Sequence, residues 1–310
     1  MTNEPIMIGI DHGYAVMKTD HCAFQAGVVA YEHRPFSMEN VLELEGKYYV
    51  IGSGRQPLQK DKTKTENYYL LTLAAIAKEL EFRKADTNST VVLAVGLPLT
   101  SFGREMNNFR RYLMQAEEPV SFFFEQKAYS ITIQDVKVFP QGYSAVLMQP
   151  ELLDEPSVIV ADIGGWTVDL MQIANRMTNA ATCRSLELGV IRCIDEIAEQ
   201  VRRSLGYTMT ASQIESALRG ELERLDIRAH DIVKTEAEKH VRKILSAIQE
   251  SGMDYRAMPT IFLGGGANLL KSHVPAGVGL CRPFIREDDK LNAKGFERLC
   301  GKVSPCDENP

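Results

Sequence analysis

The 310-residue sequence has no run of apolar residues long enough to cross a membrane, and its first residues (MTNEPIMIGI) lack a basic-then-apolar signal pattern. A soluble, cytoplasmic protein is therefore expected. Its six cysteines (Cys22, Cys183, Cys193, Cys281, Cys300, Cys306) form no CxxC pair and no Cys/His spacing suited to zinc, so reduced thiols are expected. There is no basic excess: 35 Lys and Arg stand against 41 Asp and Glu, a net charge of -6, which argues against a surface that grips nucleic acid by itself. The basic clusters present (Lys60 to Lys64, Arg202 with Arg203, Lys239 to Lys243) are diluted by acids and read as solvated faces. No G-x-x-x-x-G-K-[ST] occurs, which excludes a P-loop, and no G-x-G-x-x-G with a following acid, which excludes the dinucleotide fingerprint. Low-complexity tracts and short repeats are also missing. What remains is ordinary globular composition, 45% hydrophobic and 25% charged, at a length that suggests about two domains.

Two halves of the chain begin alike. Ile6 to Ile10 reads as an apolar strand running into Asp11-His12-Gly13-Tyr14, with a returning strand through Lys18. Ser157 to Ala161 runs into Asp162-Ile163-Gly164-Gly165, and a strand follows over Thr167 to Ile173. Each is a hairpin whose Asp-x-Gly turn is rich in exposed N–H groups. Between them, Val41 to Leu44 and Lys47 to Ile51 form a hairpin turning at Glu45-Gly46. Helical spacing marks Tyr68 to Leu80 and Phe102 to Met114. Thr90 to Val95 is a buried strand stopped by Gly96-Leu97-Pro98, and Ile131 to Phe139 alternates as strands do. In the second half, helices are predicted over Ile191 to Leu205, Ala211 to Leu218 and Ile232 to Ile248, then a buried strand over Thr260 to Leu263 opening into Gly264-Gly265-Gly266-Ala267. Strands alternating with helices imply α/β layers.

A nucleoside triphosphate needs amides around its oxygens, a cation for its terminal phosphates and carboxylates to hold a metal. Gly13 and Tyr14, and Gly164, Gly165 and Thr167, let backbone close over phosphates. Lys18 can reach the β- and γ-phosphates. Asp11 and Asp162, at strand ends, are placed to hold magnesium through its waters, and a divalent cation resolves the repulsion of two converging carboxylates. Either hairpin alone is also what an ordinary turn looks like, and Asp169 could brace the loop without touching ligand. Gly264 to Gly266 allow close approach of a flat ligand such as adenosine, or equally a helix packed tightly on a sheet.

Together these residues resemble the actin, heat-shock chaperone and sugar kinase superfamily. Asp11 to Lys18 corresponds to its first phosphate loop, Asp162 to Asp169 to its second, and Leu263 to Ala267 to its adenosine loop. Glu187-Leu188-Gly189-Val190 falls where that superfamily makes its first inter-domain connection. Within it, Asp11-His12-Gly13-Tyr14 with Lys18, Lys47 to Gly52, Val95-Gly96-Leu97-Pro98, Phe139-Pro140-Gln141 and Asn292-Ala293-Lys294-Gly295-Phe296 are each similar to segments of ParM-like proteins, the plasmid-segregating bacterial actins and their archaeal relatives. The resemblance runs from residue 6 to residue 296. It implies an actin-type fold of two related α/β domains around a nucleotide cleft: domain I over 1–150 with a small inserted subdomain near 32–85, domain II over 151–288, and a C-terminal helix over 289–310 returning to domain I. Gln141 matches the position that orients the attacking water, although it could be a polar residue at a strand end. Glu215 and Arg219, one helical turn apart, fall where relatives contact the nucleotide, but any exposed helix offers such a pair. His12 departs from the usual apolar residue and is expected to face solvent with no catalytic role. The implied function is an ATPase with ATP and Mg2+ as cofactors that polymerises with itself into filaments and segregates DNA through a small DNA-binding adaptor. A small-molecule kinase of the same fold would need a carboxylate base where this sequence has Gln141. A non-polymerising actin-fold module is a third reading.

Overall fold

A computed structural model describes residues 4–54, 61–115, 118–221 and 226–302. Lys60 and Cys306 lie outside these residues. The chain divides into two compact units, Met1–Met148 with Lys290–Pro310, and Gln149–Asp289.

Unit 1 is built on strands β1 (Ile6–His12), β2 (Val16–Lys18), β3 (Ala23–Gln25), β4 (Val28–Tyr31), β5 (Val41–Leu44) and β6 (Lys47–Ile51), helix α1 (Asn67–Phe82), β7 (Asn88–Leu97), α2 (Phe102–Leu113), β8 (Val120–Phe124), β9 (Lys127–Pro140) and the one-turn α3 (Tyr143–Val146). Its strands form one sheet ordered β3-β2-β1-β7-β9-β8-β5-β6-β4, in which β1, β7 and β9 run parallel. β7 is buried from Val91 on except for the half-buried Val92, but the strand continues through Gly96 and Leu97, which pair with Phe139 and Pro140, and Pro98 ends it. α1 is buried almost all round, from Tyr68 to Leu80, because it packs beneath β1, β2 and β4 and against α2. The β5–β6 hairpin turns at Glu45-Gly46, as the sequence indicated.

Unit 2 comprises α4 (Pro150–Leu153), β10 (Ser157–Ile163), β11 (Val168–Ala174), β12 (Met177–Leu186), α5 (Val190–Leu205), α6 (Ala211–Leu218), α7 (Ile227–Glu250), β13 (Thr260–Leu263), α8 (Gly264–Leu270) and β14 (Pro283–Ile285). Its sheet is ordered β12-β11-β10-β13-β14, with β10, β13 and β14 parallel. α5 buries Ile191, Ile194, Ile197 and Val201, a helical stripe, and α7 answers with Val233, Ala237, Val241, Ile244 and Ile248. α7 starts five residues earlier than its apolar spacing marks, because Asp226 caps it by accepting from Arg228 N.

The last helix, α9 (Leu291–Cys300), belongs to unit 1 and packs on β1, β7 and α3. Its Phe296 is fully buried, stacked on Phe139. Glu297 accepts from Gly9 N (2.9 Å) and from Arg83, whose Nε also reaches the buried Glu79 (2.7 Å). Among the described residues no helix is long and apolar enough to cross a membrane, and the described cysteines are free thiols.

Candidate active site

In unit 1 the predicted residues gather at the carboxyl ends of the parallel strands, the edge where open α/β sheets place ligands. Asp11 is the next-to-last residue of β1, just past its pairing with β7, and Lys18 is its direct cross-strand partner on β2. Directly opposed residues of an antiparallel pair project to the same face, so a carboxylate and an ammonium share it, 6% and 8% exposed. Gln141 follows the last residue of β9. Its backbone is fixed by Gln141 N on Leu97 O (2.9 Å) and by Tyr143 N on its own carbonyl (2.8 Å). Its side chain reaches across β7, and Nε2 donates to Asp11 Oδ1 at 2.8 Å. Next to it, Gly142 N donates to Asn292 Oδ1 of α9 (2.9 Å), so the C-terminal helix holds the turn that carries Gln141. Gly13 lies so close to Val16 that a Cβ would stand 2.4 Å from its carbonyl oxygen, and any other residue would open the loop.

His12 does not face solvent. It is the last residue of β1 and points to the face opposite Asp11, where it is fully buried. Nε2 meets Thr72 Oγ1 at 2.8 Å, and the Phe109 ring stands edge-on at 5.1 Å. Burial, then the neighbouring Lys62 charge, lower its pKa to about 3, so it stays neutral at physiological pH. Lys62 is a second correction: within the basic cluster read as solvated it is 6% exposed, while Lys64 is exposed as expected. Its Nζ donates to His12 O at 2.5 Å and lies over the Tyr14 ring (5.1 Å). Nothing in the sequence around Lys62 marks it as buried.

In unit 2, Asp162 is 9% exposed at the end of β10, directly opposite Asp169 on β11. The two carboxylates project to the same face, and carboxylate oxygens at a strand end are donors of the kind magnesium takes. Asp169 also braces the turn, accepting from Thr167 Oγ1 (3.2 Å), and Gly164 N closes it on Thr167 O (2.9 Å). The loop's carbonyls serve the start of α5: Gly164 O takes Val190 N (3.0 Å), Gly165 O takes Ile191 N (2.9 Å) and Trp166 O takes Gly189 N (2.9 Å). Glu187 to Val190, expected to connect the domains, instead lies within unit 2 between β12 and α5, where it supports the second loop.

The glycine segment is the start of α8 and stands against that loop. Gly264 has φ +85°, and a Cβ there would lie 2.6 Å from Ile163 O and 2.7 Å from Asp162 Oδ1. Gly266 is likewise against Ile163, and Gly265 has open space, with Ala267 buried behind them. The structure therefore brings Asp162, Gly164 and Gly264 to Ala267 together. Glu215 and Arg219 stand at the end of α6, which packs on α8, and their side chains pair with each other at 3.5 Å. Among the described residues no three His, Cys, Asp or Glu side chains converge as a metal site, so a metal here would complete its shell with water and phosphate oxygens.

Comparison with known proteins divides the chain in the same place. Residues 9–143 match the family model for the actin-like proteins' N-terminal domain, and residues 160–276 match that for the C-terminal part of the archaeal actin homologue MreB-like proteins. No curated protein matches by sequence. Among solved structures, the chain is similar to Ta0583, an archaeal actin homolog, in complex with ADP (18% identity, 96% of this chain and 100% of that one, TM-score 0.74). It is similar to Bacillus thuringiensis ParM with ATP (14%, 97% and 100%, 0.68) and to a 15-stranded ParM filament from Clostridium botulinum (17%, 97% and 100%, 0.68). At these identities the shared feature is the fold.

Proposed function

We propose, from the premise that the chain belongs to the actin-type ATPase superfamily and has ParM-like relatives, that it is a filament-forming ATPase that binds Mg-ATP and segregates DNA. In this reading the loops at Gly13-Tyr14 and Gly164 to Thr167 serve one nucleotide, with Lys18 on the terminal phosphates and Gly264 to Ala267 beside the adenosine. Asp11 and Asp162 hold the metal through its waters. Magnesium, when bound, supplies positive charge against the developing charge of the transferring phosphoryl group.

The observation that carries the reading is the bond from Gln141 Nε2 to Asp11 Oδ1. It commits the amide's donor end to the carboxylate, which turns the carbonyl end outward as an acceptor for a water hydrogen. A neutral amide so fixed orients a water without removing its proton outright, as slow, timed hydrolysis requires. It also disfavours a sugar kinase, which needs a carboxylate base at that point. Hydrolysis would then weaken the polymer, and DNA attachment would fall to a separate basic adaptor, a reading that the net charge of -6 supports.

Identical subunits joined head to tail form an open filament unless the rotation closes, and an interface of about 1,600 Å² supports assembly at roughly micromolar concentration. Light scattering and high-speed pelleting across protein concentration, with electron microscopy of the pellet, test this. Filaments are expected with magnesium and a slowly hydrolysed ATP analogue, and fewer or shorter-lived ones with ADP or EDTA. A protein that stays monomeric at tens of micromolar with every nucleotide ends the filament reading.

A further inference from the structure

We infer that Lys62 is a positioning residue for the first phosphate loop, setting the Gly13 amide toward anionic phosphate; this rests on the nucleotide reading above. Lys62 lies on the segment that leads into α1, almost fully buried. A buried ammonium is costly unless something receives it. Here the His12 carbonyl accepts at 2.5 Å, and the faces of Tyr14 (5.1 Å) and Tyr68 (5.5 Å) flank the charge.

That carbonyl belongs to the peptide joining His12 to Gly13. In a trans peptide C=O and N–H point in opposite directions, so an oxygen held on Lys62 turns the Gly13 N–H away from it. An ammonium on the oxygen also draws electron density from the amide and strengthens its N–H as a donor.

The surroundings keep this arrangement from drifting. Thr72 spends its hydroxyl proton on Tyr68 O (2.6 Å), so the His12 Nε2 beside it must be the protonated nitrogen, and the ring is locked. Asp61 accepts from both the N–H (2.9 Å) and the hydroxyl (2.7 Å) of Thr63, which fixes the backbone on either side of Lys62. His12 Nδ1 and Tyr68 Oη are buried beside it with no hydrogen-bond partner among the described residues.

A charge acting on phosphate has an effect that grows with phosphate number, which a merely structural lysine does not. Calorimetric titration of wild type, Lys62→Met, Lys62→Gln and Lys62→Arg with a magnesium-bound non-hydrolysed ATP analogue, Mg-ADP and adenosine reads this directly. Lys62→Met should bind the ATP analogue about tenfold more weakly, ADP less so, and adenosine as wild type does. Lys62→Arg should keep the wild-type ranking and Lys62→Gln should lose it, and this pair decides the matter if the methionine variant does not fold. Equal losses for all three ligands, or none, with a wild type that binds nucleotide, overturn the inference alone. A wild type that binds no nucleotide overturns the nucleotide reading and this inference with it.

Discussion

Replacing Gln141 with alanine removes one side-chain hydrogen bond and leaves its surroundings standing. The backbone bonds through Leu97, Tyr143 and Asn292 do not involve the side chain. Asp11, only 6% exposed, loses the donor at 2.8 Å. A hydrogen bond to a charged acceptor contributes about 1.5–3 kcal/mol. Gln141 is only half-buried, so water enters the space and recovers part of this. This loss falls on the protein's own stability and the placing of Asp11, and Mg-ATP affinity stays nearly unchanged. The chemical step loses more, because the amide's carbonyl end no longer fixes the water when the phosphoryl group transfers. Removing a preorganised group of this kind costs about 3 kcal/mol or more in the transition state, at least about 100-fold in rate. Single-turnover phosphate release measures the second quantity and equilibrium titration with a fluorescent nucleotide the first. If Gln141→Ala loses affinity yet hydrolyses bound ATP at the wild-type rate, the residue does not orient the water, and the argument from the Asp11 contact is wrong.

Gly264→Ala forces a side chain into the left-handed region and against Ile163 O and the Asp162 carboxylate, a cost of about 2–4 kcal/mol that thermal melting would report, and an unchanged melting temperature would contradict the packing described. Glu79 gives a pH dependence: burial alone would raise its carboxyl, but Thr19, His21 and Arg83 donate to it and hold it below the ordinary carboxylate range. Its contribution to stability is thus present above the unfolded value of about 4.3 and fades as pH falls through the lower folded value. Urea midpoints measured from about pH 7 to about pH 3 should fall more steeply in wild type than in Glu79→Gln, and parallel curves would remove Glu79 from the account.

The hairpins at Asp11 and Asp162 were legible because an apolar strand, a carboxylate and a glycine in that order leave few other structures. Ala211 to Leu218 and Thr260 to Leu263 were legible to the residue, since a capping Thr210 and a glycine run mark their ends. His12 was misread because loop position outweighed strand alternation: β1 continues one residue past Asp11, and period two turns His12 inward. Lys62 was misread because lysine in a basic run is ordinarily solvated, and only the tertiary placement of Tyr14 and Tyr68 makes a buried seat for it. The β8 strand left no alternating signature, its Ser-Phe-Phe-Phe being apolar on both faces, with Phe122 and Phe124 buried and Phe123 exposed.

The seating of α9 bears on the order in which the molecule is made. Unit 2 is one uninterrupted stretch, Gln149–Asp289, whereas unit 1 takes its last helix from residues synthesised after all of unit 2. On the ribosome, Gly9 N and Gly142 N wait for Glu297 and Asn292 until almost the whole chain has emerged. The turn carrying Gln141 is therefore completed late, after the strands that flank it. A nascent chain stalled before residue 290 would leave open the surfaces of β1, β7 and α3 that α9 covers, apolar area that invites aggregation.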